Sequence, residues 1–116
     1  MTPEELEDQI DLLNDLRRPT TTERFATQPM LTKLNIALSE IVGDEYRVDV
    51  LRRALGYGET FTSTKQLYFS DAQGLIRWLW DEDDDRKAKP TKQPAVICLQ
   101  ELKRQIETSK YLQVIA

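Results

Sequence analysis

The stretch STKQLYFSDAQGLIRWLW, residues 63–80, decides the fold class, because its first half reads as loop and its second half as helix. Ser70 and Gln73 stand at the spacing of a capping box, in which a serine oxygen accepts from one free helical N–H and the glutamine reaches back to another. Leu75, Ile76, Trp78 and Leu79 follow at helical spacing, so a short amphipathic helix is expected from Ser70 to the tryptophans. Upstream, GYGETFTSTKQLYF carries two glycines and several β-formers, which predicts an extended loop with a short turn over 63–67.

Downstream, DEDDDRKAKPTKQP is an acidic run that turns basic, and Pro90 and Pro94 bar a helix through it. A charged linker is expected there. Val96, Leu99, Leu102 and Ile106 then repeat at helical spacing, and YLQVIA leaves an apolar end that either packs back on the chain or is offered to another.

Toward the N-terminus, a third helix is expected with Asp44 as N-cap, carrying Val48, Leu51 and Leu55 and stopping at Gly56. The second runs from about 30 to 42, with Leu31, Leu34, Leu38 and Ile41 on one face and Gly43 as C-cap. TTTERFATQP is a polar connection with room for one turn around 23–26. The first helix has Thr2 as N-cap, Pro3 at its first position, Glu5 placed to close a capping box, and a stripe of Leu6, Ile10, Leu13 and Leu16. The class is therefore all-α, a single small domain of about five helices with an extended loop before the fourth. Its expected parts are an acidic helix and connection (1–29), a central helical module (30–80), a charged linker (81–94) and a final helix with an apolar tail (95–116).

Composition narrows the function. With 116 residues, 40% of them hydrophobic, the chain is long enough for one real core. The net charge of −4 lies wholly in residues 1–29, since acids and bases balance in 30–80 and again in 81–116. Strong nonspecific DNA binding by the whole chain is not expected of such a balance, so any nucleic-acid contact is local. Cys98 is the single cysteine and sits in an apolar helical pattern, so a buried structural thiol is expected and no disulfide within the chain. MTPEELEDQI lacks the basic and apolar parts of a signal peptide, and no segment approaches the roughly 18 apolar residues of a membrane span. The expectation is a cytoplasmic protein.

Residues 31–79 resemble a small helical module found near the C-termini of phage recombination and replication proteins, including single-strand annealing recombinases. The residues that carry the resemblance are Ser63, Lys65, Leu67, Ser70, Ala72, Leu75, Ile76, Trp78 and Leu79, and the match covers a little under half the chain. It implies a phage or other mobile-element origin and an accessory role beside a larger machine.

No catalytic constellation is read from the chain. It has no histidine, which removes the commonest general base near neutral pH and any His-based zinc site. The run 81–85 begins like a calcium loop, but Arg86 stands where an EF-hand needs glycine, and no cofactor or metal is expected. Arg47, Arg52, Arg53, Lys65 and Arg77 are the candidate phosphate contacts, with Tyr57, Tyr68 or Phe69 as stacking faces, although Asp44, Glu45 and Asp49 offset part of that charge. Trp78 and Trp80 lie two positions apart, so on a continuing helix one is buried and the other partly exposed. Trp80 is then either covered by the final helix or, with Asp81, Glu82, Asp83, Asp84 and Asp85, part of a partner-facing surface. The leading expectation is a non-enzymatic binding protein in a nucleic-acid-processing assembly, with possible weak local nucleic-acid contact and self-association. The alternative is a protein-only inhibitor or adaptor, such as an anti-CRISPR protein, that blocks a nuclease with acidic surfaces.

Overall fold

Five helices form where the apolar stripes predict them. The computed structural model describes residues 1–17, 24–81 and 89–115, the last five by their backbone alone. The helices are α1 (Pro3–Leu16), α2 (Gln28–Val42), α3 (Arg47–Leu55), α4 (Phe69–Leu79) and α5 (Gln93–Ile115). Two 3-10 turns, Asp44–Tyr46 and Thr64–Gln66, lead into α3 and toward α4. No strand occurs among the described residues; a single antiparallel bridge joins Phe25 to Tyr68.

One core serves all five helices. It runs from Leu6 and Leu13 of α1 through Leu34, Leu38, Leu51, Leu75 and Leu79 to Leu99, Leu102 and Ile106 of α5. Each fully buried leucine contributes roughly 2–3 kcal/mol, which explains why the stripes and not the caps set the element order. The Cα radius of gyration of 14.0 Å is close to the roughly 13 Å of a compact chain this long. Residues 30–80 pack against both flanking helices: α1 packs on α4 and α5, and α5 also packs on α2 and α3. Cys98 is a buried free thiol, as its apolar surroundings predict.

The caps differ from expectation at three places. Ser70 does not begin α4: the helix starts at Phe69 behind an extended Tyr68 with no side-chain cap. The capping box is formed seven residues earlier, where Ser63 and Gln66 close the 3-10 turn. Asp44 is not the N-cap of α3 but opens the preceding 3-10 turn, where its carboxylate accepts a hydrogen bond from the Ser39 hydroxyl. Pro94 lies in the first turn of α5 and helps to start it, so the linker is shorter than the sequence suggests. Residues 24–27 of the connection that had room for a helical turn form none.

The end of α4 is tied to the start of α5. Thr91 and Lys92 each donate a backbone N–H to the Leu79 carbonyl at 3.0 Å, and the Asp81 N–H donates to the Thr91 hydroxyl at 3.2 Å. The Lys92 ammonium donates to the Arg77 carbonyl at 3.0 Å. The last carbonyls of α4, which a helix end leaves without intrahelical partners, are met by the chain that starts α5. The side chains of the YLQVIA tail lie outside the described residues.

Candidate functional site

The loop between α3 and α4 is built by side chains that bond its backbone. Gly56 ends α3 in the left-handed region (φ 73°), a conformation that costs glycine little and lets the chain double back. Arg52, in the last turn of α3, reaches over that bend and donates Nε to the Phe61 carbonyl at 2.8 Å and Nη2 to the Glu59 carbonyl at 3.1 Å. Gln66 Oε1 accepts from the N–H groups of Thr62 (2.7 Å) and Ser63 (3.1 Å), while its Nε2 donates to the Thr60 carbonyl at 3.2 Å. A loop held at so many backbone groups is a rigid platform.

A buried polar junction fixes the same loop from below. Arg17, just past α1, donates Nε to Asp71 at 2.7 Å, and its Nη1 donates to Asn14 Oδ1 at 2.8 Å and the Leu55 carbonyl at 3.0 Å. Asp71 is 7% exposed and also accepts from the Tyr57 hydroxyl. Burial, and then the bond to Asp71 and its negative charge, raises the phenol above its ordinary 10.0, so Tyr57 keeps its proton and acts as donor. A β-carbon on Gly74 would lie 2.9 Å from Arg17 Cγ and 3.2 Å from Arg17 Cα, so this approach of α1 to α4 needs glycine.

Four aromatic rings stand on this platform. Tyr57 stacks on Phe61, with centroids 4.6 Å apart, and Phe25 lies parallel to Tyr68, at 5.7 Å with 3° between planes. The second pair is set by backbone: Ala26 N–H donates to the Leu67 carbonyl at 2.9 Å and Phe69 N–H to the Arg24 carbonyl at 2.8 Å. Those bonds flank Phe25 and Tyr68 and make them a non-hydrogen-bonded cross-strand pair, the arrangement that brings side chains closest. Phe25 is nevertheless 63% exposed and Tyr68 38%. The rings of both pairs, with Gly58, Thr60 and Gln66, line an open cleft of about 240 Å³. Arg24 lies over the Phe69 ring at 3.9 Å, and Lys65 projects from the neighbouring 3-10 turn into solvent.

The candidate phosphate contacts do not gather into one patch. Arg52 is committed to the loop and to Asp49 at 3.4 Å, and Arg47 lies 3.8 Å from Asp44. Arg53 is exposed and shares with Arg52 and Lys110 a second cleft of about 270 Å³, which Arg47, Lys65 and Arg77 do not line. Lys110 there is 3.3 Å from Asp49, so acid offsets base in that cleft too. Arg77 is exposed in the last turn of α4.

Trp80 is not presented to a partner. The reading that separated it from Trp78 assumed a continuing helix, but α4 ends at Leu79 and Trp80 has extended backbone (φ −122°, ψ 143°). That turn swings its ring inward: Trp80 is 2% exposed and lies under the Lys33 ammonium at 4.4 Å, while buried Trp78 donates Nε1 to Gln9 at 3.2 Å. Asp81 is exposed, 3.9 Å from Lys92, and Glu82, Asp83, Asp84 and Asp85 lie outside the described residues. Among the described residues no cluster of three or more potential ligands from His, Cys, Asp and Glu is placed to hold a metal, and no helix is long and apolar enough to cross a membrane.

Phe25, Phe61 and the Arg17–Asp71 pair are site residues that sequence patterns do not single out. Phe25 did carry one signal: it is a lone phenylalanine in the polar connection TTTERFATQP, where no apolar stripe requires it. No protein-family model, curated protein or solved structure matches the chain.

Proposed function

We propose that the chain is a non-enzymatic binding module, of phage or other mobile-element origin, that joins a nucleic-acid-processing assembly through its aromatic cleft. One observation carries the reading: backbone hydrogen bonds hold the Phe25–Tyr68 pair in place on the surface, where much of its apolar area stays exposed to water. Aromatic rings on a rigid platform are suited to recognition, because little side-chain entropy is lost when they bind. The resemblance of residues 31–79 to phage recombination modules supports the nucleic-acid setting, and the absence of histidine from the sequence supports recognition over catalysis.

The test is recovery of the tagged chain from its source cell before and after nuclease. The expected result is a complex larger than the chain that nuclease dissolves and that Phe25→Ser with Tyr68→Ser prevents. A second reading has its own observation: Glu4, Glu5, Glu7, Asp8, Asp11 and Asp15 are all exposed on α1, an acidic face able to occupy a basic channel. That inhibitor reading predicts a nuclease-resistant complex lost when these carboxylates are neutralised.

A further inference from the structure

We propose that the cleft takes an unpaired nucleobase, stacked on the Phe25–Tyr68 face, with the flanking phosphates on Arg24 and Lys65. The inference rests on the nucleic-acid reading above and names its ligand.

Three observations favour a base over a peptide. The first is shape. Phe25 and Tyr68 are stacked parallel, 3° apart, so the pair presents a flat outer π-face, and a base can stack on it whatever its sequence. The second is hydrogen bonding. The carbonyls of Gly58, Glu59, Thr60, Phe61 and Leu67 are all taken by groups of the chain itself. A docked peptide would therefore find few acceptors for its own backbone N–H groups, and an unmet polar group is costly to bury. A stacked base keeps its edges in water and needs none. The third is charge. The two segments that form the cleft, 24–27 and 56–69, carry Arg24 and Lys65 against the single acid Glu59, whereas the whole chain is at −4. Asp71, the other nearby carboxylate, is held by Arg17.

The experiment is fluorescence anisotropy at low salt with a labelled oligothymidine, an abasic strand of the same length and a duplex. The wild type is expected to hold the oligothymidine more tightly than either control. Phe25→Leu keeps apolar bulk but removes the π-face, and is expected to weaken binding about tenfold, while Phe25→Trp retains it. Exposure of Phe25 keeps both variants foldable, which their melting temperatures check. Arg24→Gln and Lys65→Gln are each expected to flatten the logarithmic salt slope by about 0.7, the single-strand value per phosphate. Equal binding of the abasic strand, or of Phe25→Leu, would overturn the proposal; the latter would mark a site for apolar peptide. A wild type recovered in a nuclease-sensitive complex that ignores free oligonucleotide overturns the cleft assignment alone. Absence of any nuclease-sensitive complex overturns the reading beneath it as well.

Discussion

Gly74 shows how a single hydrogen atom in place of a side chain positions a site. Alanine there is the better helix former by about 1 kcal/mol, but its methyl would meet Arg17 at 2.9 Å, with backbone atoms of the same residue at 3.2 Å. Relieving such overpacking costs ~1–3 kcal/mol, so Gly74→Ala is expected to destabilise by roughly 1 kcal/mol in denaturant unfolding. A gain in stability would mean that α1 does not close on α4 in this way. The residue scale also sets the alkaline limit. Burial pushes the Cys98 thiol from its ordinary 9.0 up to about 11, and Tyr57 is raised above 10.0. The folded state holds both protons more tightly than the unfolded chain does, so their contribution is whole below pH 9 and is lost as pH rises through the folded values. The melting temperature is therefore expected to fall between pH 9 and 11, with Cys98→Ala shallower over that window. A flat profile to pH 11 would contradict the burial assigned to both groups.

At the scale of elements, every stripe was legible but only some caps were: Thr2, Gly43 and Gly56 cap helices as their positions predict, whereas Ser70 and Asp44 do not. Leu31, Leu34 and Leu38 repeat at helical spacing and are all buried, because a stripe repeats its signal every turn. A cap signals once. The chain contains S-x-x-Q twice, at Ser63 and Ser70, and the folded chain uses the first. Tertiary pairing decides between them: the bonds between 24–26 and 67–69 hold Tyr68 extended, which starts α4 at Phe69 and leaves Ser70 inside its first turn. Ser63→Ala is accordingly expected to lower stability by about 1 kcal/mol, and Ser70→Ala to leave it nearly unchanged. Thermal unfolding of the two variants side by side checks this, and the reverse order would restore Ser70 as the cap.

For the whole molecule, the site was the least legible feature because its residues come together only in three dimensions. Arg17 and Asp71 are 54 positions apart, and Phe25 meets Tyr68 across a comparable span, so no local pattern joins them. Tyr57, Tyr68 and Phe69 could be picked out as aromatics beside a loop, but the candidate cations Arg47 and Arg52 turned out to brace the chain itself. The fold uses α1 and α3 to hold the platform and leaves Phe25 and Tyr68 exposed on it, with Arg24 and Lys65 exposed on the segments that form the cleft. Exposed carboxylates line α1, so the molecule separates an acidic helix from an aromatic cleft. Nucleic acid is proposed to dock in that cleft. Amide chemical-shift mapping tests it most directly, by adding a short unlabelled thymidine oligonucleotide to the nitrogen-labelled chain at low salt. Shifts are expected to concentrate at 24–26 and 57–68 while α1 and the α3–α5 cleft stay still. Shifts centred on Arg53 and Lys110, or none anywhere, would contradict it.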